Sequence, residues 1–154
     1  MKKKLVELCK EKKLTVSSCE SLTAGLFTST VASVPGASAV LKGGFVTYFT
    51  EMKAKLAQVD WNIIENYGVV SKECAYAMAY NTRNITESDY CLSFTGNAGP
   101  STMEGKPAGL VYCGLASKEE VIVYDFHLEG MERNELRQYL VDAMIENLIK
   151  KIEE

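Results

Sequence analysis

Ser21 stands in the stretch Val16-Ser17-Ser18-Cys19-Glu20-Ser21-Leu22-Thr23-Ala24-Gly25. A β-branched lead-in runs into small hydroxyl residues, and Leu22, Leu26 and Val31 then recur at helical spacing. This reads as strand, tight turn, helix. A hydroxyl at such a turn meets free backbone N–H groups and the positive end of the helix dipole. The position suits a serine nucleophile, a bound anion, or both. The plainer role for Ser21 is a helix N-cap. Two further stretches have the same form. Gly43-Gly44-Phe45-Val46-Thr47-Tyr48-Phe49-Thr50-Glu51-Met52-Lys53 reads as a strand ending at Tyr48 and a new helix, capped by Thr50, that carries Lys53. Phe94-Thr95-Gly96-Asn97-Ala98-Gly99-Pro100 reads as a strand end opening into a Gly-rich loop that continues to Gly109. Open α/β sheets bind ligands beyond the carboxyl ends of their strands, so three such loops carrying Ser, Tyr, Lys and Thr predict one shared site.

The remaining chemistry-bearing residues narrow the mechanism. His127 is the only histidine and falls in an alternating run with Val121, Val123 and Phe126, so it reads as a strand residue. A Ser-His-Asp triad is therefore not expected, and no ligand cluster suggests a metal site. Cys9, Cys19, Cys74, Cys91 and Cys113 are odd in number and show no C-x-x-C pair. Together with the lack of a signal peptide or long apolar span, they predict buried thiols in a reduced, cytoplasmic protein with no membrane partner. Cys19, two residues before Ser21, has no evident activating partner. Nucleophilic chemistry at such a site would then fall to Ser21, Tyr48 and Lys53, since a lysine or tyrosine of lowered pKa can take a serine's proton.

The elements that must position these residues follow from periodicity. Helices are predicted over 3–13, 22–33, 51–58, 61–67, 71–85 and 131–152, and strands over 14–18, 42–49, 89–95, 109–116 and 120–128. Asp60 and Ser71 are expected as N-caps. Lys118-Glu119 between two β-rich runs predicts a hairpin, so the sheet is mixed, mostly parallel, within a three-layer α/β/α sandwich. The last helix carries Leu136, Leu140, Met144 and Leu148 as a core stripe. With 154 residues, 47% hydrophobic and 24% charged, the chain supports a single domain over 1–154. A net charge of −3 argues against nucleic acid as a partner, since backbone binding needs a basic surface. The lysines at 2–4 and 10–13 read as a solvated helix face. An edge strand and apolar helices point to a homodimer or higher homo-oligomer.

Glu20-Ser21-Leu22-Thr23-Ala24-Gly25 resembles the E-S-C-T-G-G box of the CinA C-terminal domain family. Gly44 to Tyr48 with Lys53 is similar to its G-x-V-x-Y-S-N-x-x-K box, and Tyr67 to Ser71 matches its G-A-V-S segment. Thr95 to Pro100, with Lys106, Pro107 and Gly109, is similar to its T-G-I-A-G-P…K-P-x-G box. The resemblance runs over essentially the whole chain. It implies nicotinamide-nucleotide amidohydrolase activity, converting nicotinamide mononucleotide (NMN) to nicotinate mononucleotide and ammonia without a cofactor. It assigns catalysis to Ser21, Tyr48 and Lys53, and substrate binding to Thr23, Gly25, Thr95, Gly96 and Gly99. Arg133, in a segment similar to the family's G-D-R, is the expected phosphate clamp, with Arg137 as the alternative. Many family members carry a larger N-terminal domain, so the chain is expected to be a stand-alone form. Leu22, Ala24, Phe49, Thr50, Asn97 and Ser101 depart from the pattern, and Phe49 and Asn97 beside the pocket leave substrate preference open. The alternatives are a non-catalytic ligand-binding or regulatory domain and an amidohydrolase for another small carboxamide.

Overall fold

A computed structural model describes residues 1–154. Five strands, β1 (Val16–Glu20), β2 (Leu41–Val46), β3 (Tyr90–Gly96), β4 (Leu110–Ala116) and β5 (Val121–His127), form one sheet in the order β2-β1-β3-β4-β5. β1 pairs in parallel with β2 and β3, while β3–β4 and β4–β5 are antiparallel. Only β4 runs against the other four, which is the mixed sheet that the Lys118-Glu119 hairpin requires. Six helices cover it: α1 (Lys2–Lys12), α2 (Leu26–Ala32), α3 (Thr50–Lys55), α4 (Trp61–Tyr67), α5 (Lys72–Thr86) and α6 (Arg133–Glu153).

The layers follow from which side chains are apolar. On one face, α1, α2 and α6 pack together over the sheet, and Leu136, Leu140, Met144 and Leu148 sit in a core with Phe27, Leu92, Phe94, Val111 and Leu115. Val141, Ile145, Ile149 and Ile152 widen the predicted stripe to a broad helix face. On the other face, Cys74, Ala77 and Met78 of α5 pack against Cys19 and Leu110. Asp60 and Ser71 cap α4 and α5 as expected, their side chains accepting from Asn62 N and Cys74 N. β1 lies between two strands and two helical layers, so all five of its residues are buried. Its polar side chains are paired: Ser17 with Ser88 and Thr86, Ser18 with Thr28 and Glu20. Gly44 of β2 is required by β1, since a Cβ there would stand 1.9 Å from the Ser18 carbonyl oxygen, at a φ of +152°.

Several predicted elements are corrected, and Thr50, expected as a cap, is instead the first residue of α3, whose N-cap is Phe49. The helix expected over 22–33 begins only at Leu26, because Ala24 (φ +48°) and Gly25 (φ +96°) turn the chain the other way first. Ser21 therefore does not cap a helix. The N-cap residue is Gly25, and its missing side chain is replaced from a distance by Glu20, buried at the end of β1, whose carboxylate accepts from Phe27 N (3.0 Å), Thr28 N (3.0 Å) and Thr28 Oγ1 (2.7 Å). The helix N-terminus that might have held an anion is thus already filled by a carboxylate of the chain itself. The predicted strands over 14–18 and 42–49 shift to Val16–Glu20 and Leu41–Val46. Lys13 ends α1 in the left-handed conformation, and Thr15 turns to bond Asp89.

Candidate active site

β1, β2 and β3 are parallel neighbours, so their carboxyl ends lie side by side. Ser21 follows β1, Thr47 and Tyr48 follow β2, and Asn97 follows β3. The three loops enclose a cavity of about 200 Å³ lined by Ser21, Leu22, Tyr48, Lys53, Val69, Thr95, Gly96, Asn97, Ala98, Ser101, Thr102, Met103 and Arg133.

The floor is built around Lys53. α3 is short and turns this side chain back under the sheet edge, where it is 1% exposed. Its Nζ donates to Ser21 Oγ at 3.0 Å and to the Thr47 carbonyl at 2.6 Å. Both partners are uncharged. Burial holds the Lys53 pKa below that of an ordinary lysine, opposed by Cys74, Cys19 and Glu104 nearby. A buried amine of lowered pKa in hydrogen-bond contact with a serine hydroxyl is the arrangement of a base and its nucleophile. Cys19, by contrast, packs against Cys74 and Met78 of α5, lies within hydrogen-bond reach of the Thr47 hydroxyl rather than of Ser21, and is fully buried. Burial raises its thiol pKa, so it is held as an unreactive thiol.

Polarity changes from floor to mouth. Thr95 is 1% exposed and donates its hydroxyl to the Val69 carbonyl at 2.7 Å. Its one proton is spent on that bond, so toward the cavity it offers only lone pairs. It can accept from an amide NH2 and cannot donate to a phosphate. At the mouth, Arg133 Nη1 donates to the Gly99 carbonyl (2.7 Å) and Nη2 to the Tyr48 hydroxyl (2.7 Å). A guanidinium has five N–H donors, so three remain for an anion. Tyr48 is half exposed and is bonded to Arg133 rather than to Ser21, which leaves Lys53 as the base in contact with the hydroxyl.

Six of the nine predicted site residues line this cavity: Ser21, Tyr48, Lys53, Thr95, Gly96 and Arg133. Thr23, Gly25 and Gly99 do not. The Thr23 side chain is buried with its hydroxyl unpartnered, while its carbonyl accepts from Arg137. Gly25 faces Val46 on the outer side of the α2 turn, and Gly99 serves the loop by presenting its carbonyl to Arg133. Arg137, the alternative clamp, is engaged with the Leu22 and Thr23 carbonyls at 2.9 Å each. Asn97 is not a ligand group either. Its amide staples the Gly-rich loop, donating to the Met103 and Lys106 carbonyls and accepting from Met103 N. Two residues of consequence went unread in the sequence: Glu20, the acceptor for the first turn of α2, and Glu104, whose carboxylate accepts from Val69 N and Val70 N and pairs with Lys106. Glu20 had a signal, its place beside Ser21 in the box; Glu104 had none. His127 bonds the exposed Asp125 on β5, at the sheet edge away from the cavity.

The family model of the CinA C-terminal domain matches residues 1–152. The chain belongs to the CinA C-terminal domain family. Relatives named for competence-damage induction, rather than for an activity, include one from Listeria welshimeri, 44% identical over 131 residues and 85% of this chain. Another, from Streptococcus pneumoniae, is 42% identical over 147 residues and 96% of this chain. The chain spans about a third of the length of these curated relatives, 32% and 35%. Among solved structures, competence/damage inducible protein CihA from Agrobacterium tumefaciens superposes with a TM-score of 0.94 at 28% identity, covering 99% of this chain and 93% of that one. A CinA superfamily protein from Klebsiella pneumoniae gives the same TM-score at 20% identity, covering 99% and 95%, and so supports the α/β sandwich of the CinA domain alone.

Proposed function

We propose that this CinA domain hydrolyses the carboxamide of NMN, with Ser21 as nucleophile and Lys53 as its base. The observation that carries the proposal is the 3.0 Å contact between a buried lysine and a serine hydroxyl at the floor of a cavity. Neutral Lys53 takes the proton of Ser21 Oγ as the oxygen attacks the amide carbon. The C–N bond then breaks, and the protonated Lys53 supplies the proton with which ammonia departs. Water, activated by the same amine, adds to the resulting ester and releases nicotinate mononucleotide and free Ser21. Each half-reaction returns Lys53 to the neutral amine: the proton of Ser21 leaves with ammonia, and a proton of water restores the Ser21 hydroxyl, so one lysine serves as base and acid in turn.

The gradient of the cavity supports the orientation. Its volume is below the roughly 300–1,000 Å³ of clefts that engulf a drug-sized ligand, so the pyridine carboxamide enters and the ribose phosphate reaches outward. Thr95 at the floor accepts from the amide NH2, and Arg133 at the mouth meets the phosphate. Five free, buried thiols fit a reducing, cytoplasmic setting for pyridine nucleotide recycling. The test is to incubate the 154-residue chain with NMN, nicotinamide, nicotinamide riboside and glutamine, and to measure ammonia and the acid product. The expected result is stoichiometric ammonia and nicotinate mononucleotide, with NMN the preferred substrate. Release from glutamine alone, or from no carboxamide, would overturn the assignment.

A further inference from the structure

An amide attacked by Ser21 develops negative charge on its carbonyl oxygen, and the chain must offer donors there. This inference rests on the serine amidohydrolase reading above and extends it. Among the buried cavity residues outside helices and strands, Ser21 N donates to the Phe94 carbonyl, Asn97 N to the Leu110 carbonyl and Val69 N to Glu104. Leu22 and Ala98 are 4% and 7% exposed, line the cavity, and have no acceptor in the chain for their backbone N–H. Buried N–H groups without a partner are rare, and they cluster where a ligand completes them.

Each of the two is aimed by its own peptide plane. In a trans peptide the N–H points opposite to the C=O. The Ser21 carbonyl is tied down by Ala24 N at 3.0 Å, so the Leu22 N–H is turned out of that tight turn. The Asn97 carbonyl accepts from Gly109 N at 2.7 Å, so the Ala98 N–H is turned away from the loop's own closure. One donor follows β1 and the other follows β3, the two parallel neighbours that flank the cavity floor. Arg137 then fixes the first turn from outside, with Nε on the Leu22 carbonyl and Nη2 on the Thr23 carbonyl.

We infer that the backbone N–H groups of Leu22 and Ala98 form the oxyanion hole of the site, and that Arg137 is the positioning residue that holds the Leu22 donor in place. As the Ser21 Oγ–carbon bond forms, the carbonyl π pair moves onto oxygen and both N–H groups donate to it. When ammonia leaves, that pair returns and the carbonyl re-forms.

Proline supplies a direct test. Leu22 is the second residue of the turn closed by Ala24 N, a position that proline favours, and Ser21 before it leaves a strand, as a residue preceding proline should. Leu22→Pro removes the N–H together with a buried leucine side chain, and Leu22→Ala, which loses the side chain but keeps the N–H, is the comparator. 3-Pyridylboronic acid is the probe of the tetrahedral state: Ser21 Oγ adds to boron, its proton passes to Lys53, and the anionic boronate presents an oxygen to the donors. Relative to Leu22→Ala, Leu22→Pro is expected to lose about 100- to 1,000-fold in kcat, at similar KM, with weakened boronate binding. Equal kcat and equal boronate affinity in the two folded variants would overturn the inference. Should circular dichroism show Leu22→Pro unfolded, Arg137→Ala decides. A fall in its boronate affinity relative to its NMN affinity supports the assignment, and an unchanged ratio overturns it. A wild-type chain that neither binds boronate through Ser21 nor releases ammonia overturns the serine reading and the donor pair together. Wild-type turnover with an indifferent Leu22→Pro overturns the donor pair alone.

Discussion

Lys53 is buried with a hydroxyl and a carbonyl as its partners, and this decides how the site depends on pH. Burial disfavours the ammonium relative to the neutral amine by more than the nearby Cys74, Cys19 and Glu104 favour it, so the folded-state pKa lies below the ordinary 10.5. The sign follows directly. Below that lowered pKa the amine is protonated and cannot accept from Ser21; above it, the amine is a free base. kcat/KM for NMN should therefore rise with pH through an acidic limb below 10.5 that belongs to Lys53. Lys53→Arg should abolish turnover at every accessible pH, because a guanidinium does not deprotonate there. The pH–rate profiles of the two proteins check this. An acidic limb that persists in an active Lys53→Arg chain would take the base role away from Lys53.

Glu20 shows how an element is held next to that chemistry. Its carboxylate supplies the side-chain acceptors for the first turn of α2, and it also fixes the far end of the turn that presents Ser21. Glu20→Ala would leave the Phe27 and Thr28 N–H groups without their acceptor. Hydrogen bonds to a charged group are worth about 1.5–3 kcal/mol each, so thermal unfolding should show a loss of that order or more. Activity should fall with it as the Ser21 turn loosens; Glu20→Gln, which keeps one acceptor oxygen, should recover part of both. Sequence reasoning did not reach this contact. Ser21 and Tyr48 were legible because each sits at the end of a run whose period marks a strand, and Lys53 because the helix that follows the second run carries it. Asp60 and Ser71 were legible because a local cap is a short-range signal. Glu20 bonds residues seven and eight positions on, across a turn made by Ala24 and Gly25, and no periodicity encodes that. Glu104 and Asn97 were hidden for a related reason. Both organise irregular loop backbone, Glu104 across 35 residues to Val69, where neither spacing nor amphipathicity leaves a trace. Gly68 records the same contact from the other side, since a Cβ there would stand 2.3 Å from the Glu104 carboxylate.

The sheet as a whole gathers the site. The order β2-β1-β3 brings three loops that lie far apart in the chain to one end of the molecule, and α6 closes that end by sending Arg133 to the mouth and Arg137 to the Ser21 turn. The remaining surface carries a modest net charge of −3, and no helix is long and apolar enough to cross a membrane. Residues 1–152 match the CinA C-terminal domain, and the chain spans about a third of the length of its curated relatives. The most direct measurement is NMN turnover by wild-type, Ser21→Ala and Cys19→Ala chains, with NMN binding measured calorimetrically on each. Ser21→Ala should bind NMN as the wild type does and lose at least about three orders of magnitude in kcat, the scale on which a nucleophile's removal is felt. Cys19→Ala, which removes a buried thiol of raised pKa that makes no bond to Ser21 or Lys53, should keep its turnover. A Ser21→Ala chain that still releases ammonia within tenfold of the wild-type rate, or a Cys19→Ala chain that binds NMN and releases none, would contradict the assignment of Ser21 as the nucleophile.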